Sequence, residues 1–132
     1  MGPILFVDDC YERADAFLTV FPDAIHVTTA QGAIDALAEL GRHWIISLDH
    51  DLGPEEAGTG MVIVEWMVVK RPIIDIVIIH SWNVPASEQM LETLSEVGYR
   101  TYRNPFGLTG EYRKAAQERR YESILTGNSR RI

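Results

Sequence analysis

The sequence predicts a single α/β domain, a five-stranded parallel sheet covered by helices on both faces. Three observations carry that expectation. Five short apolar runs alternate with five segments whose apolar residues recur at three- and four-residue spacing, the pattern that right-handed crossovers fold into a parallel sheet. The first, third and fourth runs are almost wholly apolar rather than alternating, as strands buried on both faces are. The chain has 132 residues, 46% of them apolar, which suits one domain with a core that needs no disulfide or metal staple. That domain is expected to span residues 1–132, with its core at about 3–125 and a polar end at 126–132.

Ile4 to Val7 is the first apolar run, and it stops at Asp8-Asp9. Ala14, Phe17, Leu18 and Phe21 then mark a helix, closed by the turn residues Pro22-Asp23. Ala24 to Thr28 reads as the second strand. Thr29 can cap a helix with Ala33, Ile34, Leu37 and Leu40 on one face and Gly41 just past its end. Trp44 to Leu48 is the third strand, ending in Asp49-His50-Asp51 before a loop, Gly53 to Gly60, rich in Gly, Pro and Glu. Val62, Ile63, Trp66 and Met67 give a third helix that Pro72 breaks, and Ile73 to Ile79 forms a strand ending at His80-Ser81. Pro85 opens a helix through Met90, Leu91, Leu94 and Val97, and Gly98 stops it. Tyr99 to Tyr102 makes the fifth strand before Asn104-Pro105, and a last helix is expected from about Thr109 to Leu125.

Charge narrows the function classes. The net charge is −7, yet residues 1–107 carry 6 Lys/Arg against 16 Asp/Glu while residues 108–132 carry 6 against 3. A body this acidic disfavours broad nucleic-acid binding, which needs a basic stripe. The basic residues Arg113, Lys114, Arg119, Arg120, Arg130 and Arg131 leave room for a protein or RNA partner at the last helix. The lone Cys10 cannot form an internal bridge, and no apolar run is long enough to span a membrane, so a soluble cytoplasmic protein is expected.

In open parallel sheets, ligands bind outside the carboxyl ends of the strands. There the sequence puts Asp8 and Asp9, then Asp49, His50 and Asp51, then His80 and Ser81, then Asn104. Carboxylates converging at one edge repel, and a hard cation resolves the conflict, so Asp8, Asp9 and Asp49 are expected to hold Mg²⁺ or Mn²⁺. Zn²⁺ is a lesser alternative, since His50 and His80 lack the usual ligand spacing. The histidines are also the proton carriers near neutral pH, with Asp51 a further base. Plainer roles stand beside these: helix capping for Asp8-Asp9 and Asn83, loop opening for Asp49 and Asp51, a turn for Ser81, a solvated loop position for His50, and structural or surface roles for His26 and for His43 in the turn before the third strand.

The whole pattern resembles the receiver domains of response regulators. The acid pair Asp8-Asp9 follows strand one, Asp49 stands in the phosphoacceptor position, Asp51 lies two residues on, Thr59-Gly60 stands where many receivers have Asp-Gly, and Asn104-Pro105-Phe106 stands where receivers have Lys-Pro-Phe. The resemblance implies a doubly wound (βα)5 fold of flavodoxin-like type with strand order 2-1-3-4-5. His80 occupies the place of the receiver Thr or Ser, unless the register slips and Ser81 takes it, and Asn104 replaces the receiver Lys. The segments Leu48-Asp49-His50-Asp51-Leu52-Gly53, Thr59-Gly60 and His80-Ser81-Trp82-Asn83 are similar to the cyclic-phosphate-processing receiver family of bacteria and phages, proposed to act in RNA repair. That likeness implies a phosphate-containing small molecule or RNA end as ligand, Asp49, His80, Asp51 and His50 as catalytic residues, and Ser81, Asn83, Asn104 and Thr59 as ligand-binding positions. Phosphorylation of Asp49 in a stand-alone regulator, a pseudo-receiver interaction module and a phosphate-binding module without turnover are the alternatives.

Overall fold

The structure, a computed structural model, describes residues 2–105. The expected helix at Thr109 to Leu125 and the basic residues of the chain end lie outside them. Five strands, β1 (Ile4–Val7), β2 (Ile25–Val27), β3 (Arg42–Leu48), β4 (Ile73–Ile79) and β5 (Thr101–Arg103), form one parallel sheet in the order β2-β1-β3-β4-β5. Between them run α1 (Tyr11–Val20), α2 (Ala30–Glu39), α3 (Gly60–Lys70) and α4 (Val84–Glu96), with a single 3-10 turn at Glu55–Ala57. The sheet buries both faces. Ala33 and Leu37 of α2, Ile63 and Met67 of α3 and Met90 and Leu94 of α4 pack on Leu5, Val7, Ile46, Leu48, Val77 and Ile79. On the other face Ala14, Phe17 and Val20 of α1 pack on Ile4, Phe6, Ile45, Ile76 and Ile78.

The first and fourth strands have the bounds their apolar runs predict, and Thr29 caps α2 by accepting a hydrogen bond from the Gly32 amide at 3.0 Å. Asn83 likewise caps α4 through the Ala86 amide, at 3.2 Å. Other expectations are corrected. β3 begins two residues earlier than predicted, so His43 is a fully buried strand residue rather than part of a turn. β5 is displaced toward the chain end, because Tyr99 leaves the strand to pack in the core and donate its hydroxyl hydrogen to the Pro72 carbonyl at 2.6 Å. In α2, Leu40 is the exposed C-cap residue, and Ala30 takes its place on the buried face. In α3, Val62, expected on the apolar face, is 45% exposed, and Val64 is buried instead. A helix that is apolar nearly all round does not reveal its inner face; the neighbouring helices choose it.

At the carboxyl edge the sheet hydrogen bonds run one residue past the strands. The amide of Asp8 donates to Val27, that of Asp49 to Val7, that of His80 to Leu48 and that of Asn104 to Ile79. These four residues therefore stand in register across four adjacent strands. By the two-residue side-chain period they point to the α1 face, the face of Phe6, Ser47, Ile78 and Tyr102.

Candidate functional site

Asp8, Asp49 and His80 meet in that row: each offers a ligand atom, and the three atoms lie within 4.8 Å of one another. All three side chains are buried, Asp8 and His80 almost completely. His80 stacks on Phe6 with ring centroids 4.8 Å apart and planes 5° from parallel, which sets the direction of its two nitrogens. Nε2 donates to Asp8 Oδ2 at 3.0 Å, and Nδ1 shares a hydrogen bond of 2.7 Å with Ser47 Oγ. Ser81 turns elsewhere. Its hydroxyl oxygen accepts from the Asn83 amide and its carbonyl from the Ser87 hydroxyl, so His80 is the residue that faces the acids.

Arg13, on the first turn of α1, closes the group. Its Nε donates to Asp8 Oδ2 at 2.7 Å and its Nη2 to Asp8 Oδ1 at 2.9 Å, the paired geometry that suits a guanidinium and a carboxylate. Nη2 also lies 3.4 Å from Asp49 Oδ2. The Cys10 amide adds a fourth donor to Asp8, at 2.8 Å on Oδ1. Burial alone would raise the Asp8 pKa, but the bonds from His80 and Arg13 outweigh it and hold the carboxyl well below the usual carboxylate range. Asp49 has fewer partners. Its Oδ1 accepts from the His50 amide at 2.9 Å, and burial pushes its pKa up despite the nearby His80 and Arg13.

The other predicted site residues surround this group without joining it. Successive residues leaving a strand point to opposite sides, so Asp9 is exposed while Asp8 is buried. The Asp9 carboxylate lies beside Gly53, where a Cβ would come within 3.2 Å of Oδ2. Asp51 is exposed, and it accepts from His50 Nδ1 at 3.0 Å and from Asn83 Nδ2 at 3.4 Å. Thr59 forms a bridge with Asp51 at the start of α3, without a side-chain cap bond. Asn104 is buried at the end of β5. Trp82, between Ser81 and Asn83, is 63% exposed.

Sequence reasoning missed Arg13 and Ser47; His26, expected in a structural or surface role, donates from Nε2 to the Asp8 carbonyl at 2.7 Å. Ser47 had a legible signal, a polar residue inside an apolar strand two places before Asp49 and so on its face. Arg13 had a weaker one, a lone cation next to the first buried residue of α1 and five residues after Asp8.

The sequence profile of the cyclic-phosphate processing Receiver domain matches residues 4–96. No curated protein matches this sequence. Among solved structures, a CheY-like response regulator receiver domain protein from Methanospirillum hungatei is similar, with 13% identity and a TM-score of 0.59, over 96% of this chain and 99% of that one. The Mn(2+)-bound form of response regulator Rcp1 shares 20% identity with a TM-score of 0.60, over 100% and 99% of the two chains. A Burkholderia pseudomallei response regulator with a phosphorylated aspartic acid, a calcium ion and citrate shares 14% identity with a TM-score of 0.59, over 96% and 75%. At these identities the solved structures establish the receiver fold.

Proposed function

Because the chain belongs to the cyclic-phosphate processing receiver-domain family, we propose that its acidic pocket binds a divalent cation and processes a phosphate ester, such as the cyclic phosphate end of an RNA or a cyclic nucleotide. The observation that carries this reading is the buried Asp8–Asp49–His80 group at the carboxyl edge of the sheet. Carboxylates with one imidazole suit a hard divalent ion such as Mg²⁺ or Mn²⁺, and two solved receivers of the same fold hold Mn²⁺ and calcium. Asp49 fits such an ion in a further respect: its raised pKa marks a buried carboxylate whose charge is incompletely compensated. Asp49 and Asp8 would hold the ion, which when bound would neutralise charge developing on phosphoryl oxygens.

The residues divide the remaining work. His80 has both nitrogens engaged, so its part is to hold the Asp8 carboxylate in place. His50 is better disposed for proton transfer: Asp51 takes its Nδ1 hydrogen, which leaves Nε2 as the basic atom toward an attacking water. Asn83 bonds the other Asp51 oxygen and steadies that pair.

The test is to incubate the protein with Mn²⁺ and adenosine 2′,3′-cyclic phosphate or acetyl phosphate, then analyse the nucleotide and the intact protein mass. The expected result is ring opening that falls about 100-fold or more in Asp49→Asn and in His50→Ala. A stable phosphate adduct on Asp49 without nucleotide turnover would instead make the chain a phosphorylated regulator.

A further inference from the structure

A phosphate ligand in this pocket would meet the negative charge of Asp49, and the residue in line with the pocket after β5 is the uncharged Asn104. Arg13 is the one Lys or Arg side chain that forms an ion pair with the pocket carboxylates among the described residues. Its guanidinium is only half committed. The Nε–Nη2 edge is anchored on Asp8 at 2.7 and 2.9 Å, both charge-assisted lengths. The reach from Nη2 to Asp49 is 3.4 Å, longer than such a bond, and Nη1 makes no hydrogen bond among the described residues. The Arg13 side chain is 34% exposed beside an Asp8 that is 0% exposed, so the arginine is partly open to solvent where the carboxylate is not.

We infer that Arg13 is a phosphate-binding residue of this site: with one edge held by Asp8, it presents Nη1 and Nη2 to the phosphoryl oxygens of a ligand seated at Asp49. The inference rests on the phosphate ligand proposed above and stands independently of the metal. A planar fork of donors matches phosphate geometry. Anchoring by Asp8 removes much of the rotamer freedom that a free arginine would lose on binding. Asp8 keeps two other donors, His80 and the Cys10 amide, so the carboxylate does not depend on Arg13 alone.

The experiment titrates inorganic phosphate into the full chain by calorimetry, with and without Mn²⁺, for the wild type, Arg13→Lys and Arg13→Gln. Mn²⁺ binding alone and thermal unfolding are measured in parallel. Phosphate affinity is expected to fall at least about tenfold in Arg13→Gln and less in Arg13→Lys, which keeps the charge and loses the fork. Mn²⁺ affinity should be unchanged or tighter in Arg13→Gln, a result that a collapsed pocket would not give. Equal phosphate affinity in all three proteins overturns the inference, as does a wild type that binds no phosphate in either condition. Loss of Mn²⁺ and phosphate together in both variants also overturns it, leaving Arg13 as a prop for Asp8. Arg13-dependent phosphate binding by a protein that binds no Mn²⁺ upholds the inference and removes the metal from the proposed function.

Discussion

Asp8 and Asp49 leave neighbouring strands at the same height, yet their surroundings push them in opposite directions. Every lone-pair region of Asp8 has a donor: Cys10 and Arg13 on Oδ1, Arg13 and His80 on Oδ2. Its charge is more stable in the folded protein than in water, and Asp8→Asn should destabilise the fold by about 2–3 kcal/mol, since it leaves buried donors mismatched. Asp49 is buried with its charge poorly compensated. Asp49→Asn keeps an oxygen for the His50 amide and removes that charge, so it should stabilise the metal-free protein by about 1 kcal/mol while abolishing activity. Urea unfolding at neutral pH reads both signs; a shift in the same direction for the two variants refutes this account of the pocket. A residue that costs stability is what a functional site is expected to contain.

At the scale of elements, the close seat of α3 against the end of β3 holds the Asp49–Asp51 segment. The Gly60 amide donates to the His50 carbonyl at 2.9 Å, and the Asp51–Thr59 bridge closes the intervening loop. This approach requires glycine, because a Cβ at position 60 would collide with the Asp49 carbonyl and the Met90 methyl group. Backbone cannot yield as a flexible side chain can, so Gly60→Ala should cost about 1–3 kcal/mol in chemical denaturation and shift the His50 amide resonance. An unperturbed Gly60→Ala protein would mean that α3 is free to slide and does not position the acids. The sequence shows only a glycine opening a helix; the clash that explains it involves residues from three elements.

For the molecule as a whole, acid stability is governed by groups at both edges of the sheet. His43, near the amino end of β3, is fully buried, and neither of its ring nitrogens has a hydrogen-bond partner among the described residues. Burial lowers its pKa below the ordinary value of 6.5. The folded state thus resists a proton that the unfolded chain accepts, and stability is lost as pH falls below about 6.5. Asp8, with its depressed pKa, adds a separate loss below about 4, the usual range for an unfolded aspartate. Replacing the imidazole in His43→Leu should flatten the fall in stability between about pH 6.5 and 4.5 and leave the steeper loss below it. Unfolding free energies across pH 4–8 would show this, and parallel curves for the two proteins would clear His43 of the acid sensitivity.

Local chemistry in the sequence determined the elements and the chemical character of the carboxyl edge. Apolar runs, interrupted only by Asp75, bounded Ile4–Val7 and Ile73–Ile79, Thr29 announced its helix, and acids at two strand ends marked where a ligand would sit. The strand order and the family were legible because the motif residues fall at fixed distances from those ends. Tertiary structure alone decided which of those residues meet. Register across β1, β3 and β4 brought Asp8, Asp49 and His80 together, and the pleat sent Asp9 to the exposed side, although it neighbours Asp8 in the chain. Packing against other helices selected Val64 over Val62 on α3, and the turn of α1 over the sheet edge delivered Arg13 to Asp8. Periodicity and composition are local properties of the chain, whereas these pairings depend on the relative height and rotation of elements far apart in sequence.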